Sequence, residues 1–224
     1  MSESMTGGRA VGAGQGWAWI ADGFGLFKKS PGIWIALAFL LLVIVVVLSF
    51  VNAIFFLGSI ATLLLMPVFV GGMMLGCRAL QGGGELELGH LFAGFDKAYA
   101  GNLVVLGALN ILAGIVVMIP VLVIVGAGTL FSVMRGDAAG LAAIGGSFML
   151  AGLIALALSI PIFMALWFAP ALVVLRGLAP VAAVKESFLG CLKNMVPFLI
   201  YGIVLLVPSI FATIPFLLGW LVLG

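Results

Sequence analysis

Residues 31–50, PGIWIALAFLLLVIVVVLSF, contain no ionisable side chain. A helix of about 20 apolar residues is what a hydrocarbon core of about 30 Å requires. The Val and Ile density would favour a strand in water. In lipid, an isolated crossing must satisfy its own backbone, and only a helix does so. Immediately before it, GWAWIADGFGLFKK sets Trp17, Ile20, Phe24 and Phe27 at helical spacing, with Asp22 on the polar side and Lys28 and Lys29 at the end. One apolar stripe with aromatic and basic flanks is the pattern of a helix lying in the interface. An interfacial helix feeding a hydrophobic hairpin is therefore the expected building unit.

The remainder of the chain repeats this order. Residues 1–15 read as a flexible Gly/Ser/Thr tail and 16–224 as a single helical membrane domain. The first span is expected over roughly 34–50, and its length and the marginal Val51-Asn52-Ala53 site favour a retained span over a cleaved signal. A second follows over 53–75, bent at Pro67. The glycines of GGGELELGH then break the helix. Leu88, Phe92, Phe95 and Tyr99 return at helical spacing, predicting a second amphipathic helix over 88–99. A third span over 102–126 contains Pro120, and a short link with Arg135 and Asp137 leads to a fourth over 144–167 containing Pro161. Apolar sequence continues over 169–178, interrupted by Pro170, Arg176 and Gly177. VAAVKESFLGCLK, with Val181, Val184, Phe188 and Cys191 in one stripe, is the third amphipathic segment. The tail over 195–224 suits one tilted span, or a fifth span interrupted at Pro208-Ser209 or Pro215 with the start of a sixth. The expected fold is an all-α polytopic membrane protein of five spans, or an incomplete six-span bundle. Only 7% of residues are charged, against about a quarter in soluble domains, so water cannot be the main solvent.

Charge gives the orientation. Arg9, Lys28, Lys29, Arg78, Lys97, Arg176, Lys185 and Lys193 fall on one side of this topology, and Arg135 alone falls on the other. Basic residues in short loops stay in the cytoplasm, which predicts a cytoplasmic N-terminus and three amphipathic segments on the cytoplasmic leaflet. Cys77 and Cys191 would then be reduced thiols rather than a disulfide. A net charge of +2, scattered as it is, gives no reason to expect nucleic acid.

The similar basic endings FKKSP, FDKAYAGN and LKNMVP strengthen the repeat. GWAWIADGFGLFKKSPGIWI, PVFVGGMMLGCRALQGGGELELGHLFAGF and WFAPALVVLRGLAPVAAVKESFLGCLKN resemble an uncharacterised family of bacterial inner-membrane proteins. They also distantly resemble the membrane domain joined to some glycerophosphoryl diester phosphodiesterases. The resemblance covers nearly all of the chain after the first dozen residues. It implies a multi-pass protein of the bacterial inner membrane, built on six helices, of which this chain would lack most of the last. It supplies no substrate or catalytic residue, and the phosphodiesterase catalytic domain has no counterpart here.

Few side chains invite chemistry. His90 stands near Glu85, Glu87 and Asp96 without a recognised metal-ligand spacing, and a solvated interfacial role is the expectation. The scattered methionines, among them Met66, Met73, Met74, Met118, Met164 and Met195, suit adaptable packing rather than a soft-metal path. Asn110 is the most polar side chain well inside a span. A helix-to-helix hydrogen bond is its commoner use, and lining a substrate path the alternative. No ionisable residue falls mid-span, which argues against proton-coupled pumping. Lys28, Lys29, Lys97, Lys185 and Lys193 are expected to anchor the cytoplasmic ends, or else to contact lipid headgroups. No cofactor is expected, and nothing nominates an enzyme. Membrane lipids are the expected partners, together with other inner-membrane proteins or a second copy. The leading functional expectation is a structural, scaffolding or assembly protein. The alternative is a transporter or lipid-handling protein for an uncharged or lipidic substrate.

Overall fold

The computed structural model describes residues 8–55, 57–136 and 138–206. Among them the chain is helical, without strands. Its elements are α1 (Gln15–Lys29), α2 (Pro31–Phe55), α3 (Gly58–Gln81), a 3₁₀ segment (Leu88–Phe95), α4 (Ala100–Arg135), α5 (Ala138–Trp167), α6 (Ala169–Arg176), α7 (Pro180–Lys193) and α8 (Met195–Leu206). Among the described residues four helices are long and apolar enough to cross a membrane, and the bent pair α7–α8 makes a fifth if counted as one span. Asp137, the start of the tail over 1–7 and the expected interruptions at Pro208 and Pro215 lie outside the described residues.

The bundle is organised on α3, because its successive residues face two cores. Val68 packs with Leu103, Leu106, Ala169, Val173, Val174 and Ala183 from α4, α6 and α7. Phe69 packs with Leu37 from α2, Leu80 from the end of α3 itself, and Leu86 and Leu91 from the chain after it. A polar helix could not be packed on both sides in this way. The uncharged α2 covers one side and presents its outer face, Phe39, Leu42, Val46 and Phe50, outward. In a membrane protein such a face is lipid-exposed, since the hydrocarbon is as apolar as the side chains.

The third and fourth spans are longer than the hydropathy reading of 102–126 and 144–167. The apolar sequence through 127–134 has no breaker before Gly136, whose left-handed backbone (φ 65°) closes α4 by an N–H bond to the Ser132 carbonyl. At about 1.5 Å per residue, the 36 residues of α4 extend about 54 Å. Close approaches of Gly128 to Ser147 and of Gly140 to Ser132 keep α4 and α5 paired almost to the tip of their hairpin.

Two amphipathic readings need correction. Within the segment over 88–99, Leu88–Phe95 folds as a 3₁₀ helix rather than an α-helix, and a turn follows it. Residues three apart eclipse in that geometry, so Leu91 and Gly94 form one buried row, while Phe92 and Phe95 form another that meets the Phe69 ring edge-on. The predicted four-residue stripe does not exist, and Tyr99 joins the other core. The segment doubles back along α3, with Gly76 under His90 and Gly72 under the backbone of His90 and Leu91. Gly94 in turn lies against the backbone of Val68. On α7, the buried face is Ala183, Ser187 and Cys191, at a spacing of four. Val181, placed in the stripe from its hydrophobicity, is 71% exposed.

A candidate ligand cavity at the bend between the fourth span and its continuation

The apolar run over 169–178 is neither a projecting helix nor a loop. It is α6, packed on α3 and α7 with Ala169, Pro170, Val173 and Val174 buried. Pro170 cannot donate to the carbonyl of Leu166, so it weakens the ladder here. A side chain completes the break. The Ser187 hydroxyl donates to the Met164 carbonyl at 2.8 Å and accepts the Phe168 backbone N–H at 3.0 Å. One more turn of α-helix would join those two backbone groups directly, so the serine stands in the ladder as an inserted partner. It is 1% exposed, and Cys191 Sγ lies 3.4 Å from the same carbonyl.

At this break, Phe168, Pro170 and Ala171 line a cavity of about 880 Å³ between α3, α4 and α5. This falls within the range of about 300–1,000 Å³ typical of small-molecule sites. Its wall is overwhelmingly apolar. Met66, Met74 and Met118 supply flexible surface, and Asn110 on α4 and Ser159 on α5 are its polar side chains. An amide both donates and accepts, so Asn110 can meet an ester or hydroxyl group of an otherwise apolar guest. Pro67 lines the opposite wall. Gly114 is also in the lining, and a Cβ placed there would meet nothing within 4 Å.

The lysines proposed from the sequence do not gather at this cavity. Lys29 Nζ donates to the Leu80 carbonyl at 2.9 Å, tying α1 to the end of α3. Lys193 Nζ reaches the Gly8 carbonyl at 3.5 Å. Lys28 lies over the Phe24 ring, 4.6 Å from its centroid. Lys97 and Lys185 are exposed. Two of the five thus hold backbone of the same chain, and three present their charge outward. His90 Nδ1 accepts the Glu87 N–H at 3.0 Å, capping the 3₁₀ segment. Among the described residues no three His, Cys, Asp or Glu side chains are grouped to hold a metal ion. Cys77 and Cys191 are free thiols.

Ser187 and Asn194 were not singled out by sequence reasoning. Asn194 sits at the 82° bend between α7 and α8 and is 7% exposed. Its Nδ2 donates to the carbonyls of Gly190 at 2.8 Å and Arg9 at 3.1 Å, and its Oδ1 accepts the Val11 N–H at 2.8 Å. The available signal was its position, a lone amide between a basic helix end and an apolar run. For Ser187 it was the four-residue spacing of small side chains through Ala183 and Cys191.

The chain is 32% identical over 201 residues to a probable inner membrane protein of Burkholderia thailandensis, covering 86% of this chain and 73% of that one. The chain belongs to that inner membrane protein family. No family model and no solved structure matches it. Membership and the apolar helices agree: a member of this family with four or five spanning helices is a multi-pass inner-membrane protein in contact with lipid.

Proposed function

We propose that the protein is a lipid-handling protein that takes an uncharged or lipidic molecule from the surrounding bilayer into the cavity under α6. The observation carrying this reading is an apolar cavity of about 880 Å³ that reaches the amide of Asn110. A guest from the bilayer has no aqueous barrier to cross, and one inward amide suits the few polar atoms of a lipid's ester region. The scaffolding reading, with other inner-membrane proteins or a second copy as partners, has no comparable observation behind it.

Gly114→Leu tests the proposal. The side chain projects into open space, so the helix tolerates it and gains from losing a glycine by about 0.5–1 kcal/mol. The expected result is thermal stability at or above wild type, with co-purifying lipid reduced about tenfold when extracts are quantified by mass spectrometry. Undiminished lipid in a well-folded variant would remove the cavity as the binding site.

We also propose that α1, the 3₁₀ segment and α7 face the cytoplasm, with Lys28, Lys97 and Lys185 toward anionic headgroups. The lysine and arginine asymmetry supports this. A cysteine at Ala138 should react with a membrane-impermeant maleimide added outside spheroplasts, and one at Gly12 only after permeabilisation. The reverse pattern would invert the topology.

A further inference from the structure

A second cavity, of about 270 Å³, lies on the far side of α6, toward α1, α7 and α8. Phe168 and Ala171 line both cavities. An alanine contributes only a methyl group, so the Phe168 ring is the substantial part of the wall between them. Its backbone is held by the N–H bond to Ser187, and its ring meets the Phe198 ring with 5.6 Å between centroids. The residue is only partly covered, at 36% exposed, so the ring has room to turn.

From this arrangement we infer that Phe168 is a specificity-determining partition, setting how long an acyl chain the larger cavity accepts before its end meets the ring. The inference rests on the proposal that the larger cavity holds a lipid, and it adds which feature of that lipid is selected. The smaller cavity suits the end of a hydrocarbon chain better than a headgroup. Trp19, Leu172 and Leu175 line it, and its charged lining residues, Arg176 and Glu186, are of opposite sign. No net charge is offered to a phosphate or an ammonium group. Ser187, which also lines the smaller cavity, positions Phe168 from its backbone.

The test compares the acyl-chain profile of lipid bound to the full chain with that of the membrane from which it was purified. Phe168→Ala should join the two cavities and raise the ratio of longer to shorter bound chains about threefold, the worth of a handful of added van der Waals contacts. Phe168→Trp should move the ratio the other way. Profiles unchanged in both variants, with lipid still bound and still displaced by Gly114→Leu, would overturn the partition and leave the cavity proposal standing. No bound lipid in the wild-type protein would overturn both. If the alanine variant does not purify, Phe168→Trp alone decides, by a shift to shorter chains or by none.

Discussion

Gly72→Val is expected to prevent recovery of stably folded protein. A Cβ at position 72 would fall 2.7 Å from the Leu91 carbonyl oxygen and closer still to that of His90. Both obstacles are backbone, so no rotamer change relieves the clash. The 3₁₀ segment carrying them cannot easily withdraw. Leu91 is fully buried in the core shared with Phe69 and Leu37, and Gly94 is already against the Val68 backbone. Overpacking usually costs about 1–3 kcal/mol, and a backbone obstacle held at two further points should put valine at or beyond the top of that range. Detergent size-exclusion profiles and thermal melts check this, with Gly101→Val as control, since a Cβ at Gly101 meets nothing within 4 Å. A valine variant as monodisperse and heat-stable as the control would mean that the segment does not lie on α3 as described.

Asn194→Ala should free the chain ahead of α1 and loosen the α7–α8 corner. Three hydrogen bonds disappear together, and the Val11 N–H and the carbonyls of Arg9 and Gly190 lose this partner. A buried group left unpaired costs about 1–3 kcal/mol, and the water available at the edge of the bundle offsets part of it. A net loss near 2 kcal/mol corresponds to amide exchange about 30-fold faster around Val11. Asn194→Asp should fall between, because the carboxylate still accepts from Val11 but has no Nδ2 to donate. Hydrogen–deuterium exchange of peptides spanning 8–16 measures both. Equal protection in wild type and the alanine variant would remove Asn194 as the tether. The effect should spread to α1, where Trp19 packs on Phe198 and Tyr201, and where Gly16 lies against the Pro197 carbonyl.

What could be read from the sequence follows the range of the forces involved. The uncharged run of α2 was legible because lipid leaves an isolated crossing one way to satisfy its backbone. The stripe of α1 was legible because periodicity is local. The 3₁₀ geometry over 88–95 was not, since it is set by contact with Gly72 and Gly76, and by Gly94 meeting Val68, across a glycine loop. Asn110 could be singled out as a polar residue inside a span. The cavity beside it could not, because its walls come from three helices and its roof from the break held by Ser187. Charge patterning found the lysines, but could not tell Lys29, which holds the Leu80 carbonyl, from Lys28, which lies over Phe24.

The unequal helix lengths bear on the bilayer as much as on the protein. At about 1.5 Å per residue, the 24 residues of α3 measure about 36 Å beside the 54 Å of α4. A flat slab of uniform depth cannot match both. Either the α4–α5 hairpin leans, or the acyl chains nearest it stretch, while those beside α2 and α3 stay relaxed. A leaning hairpin keeps the annulus at one depth, whereas an upright one makes it thicker at that flank than beside α2 and α3.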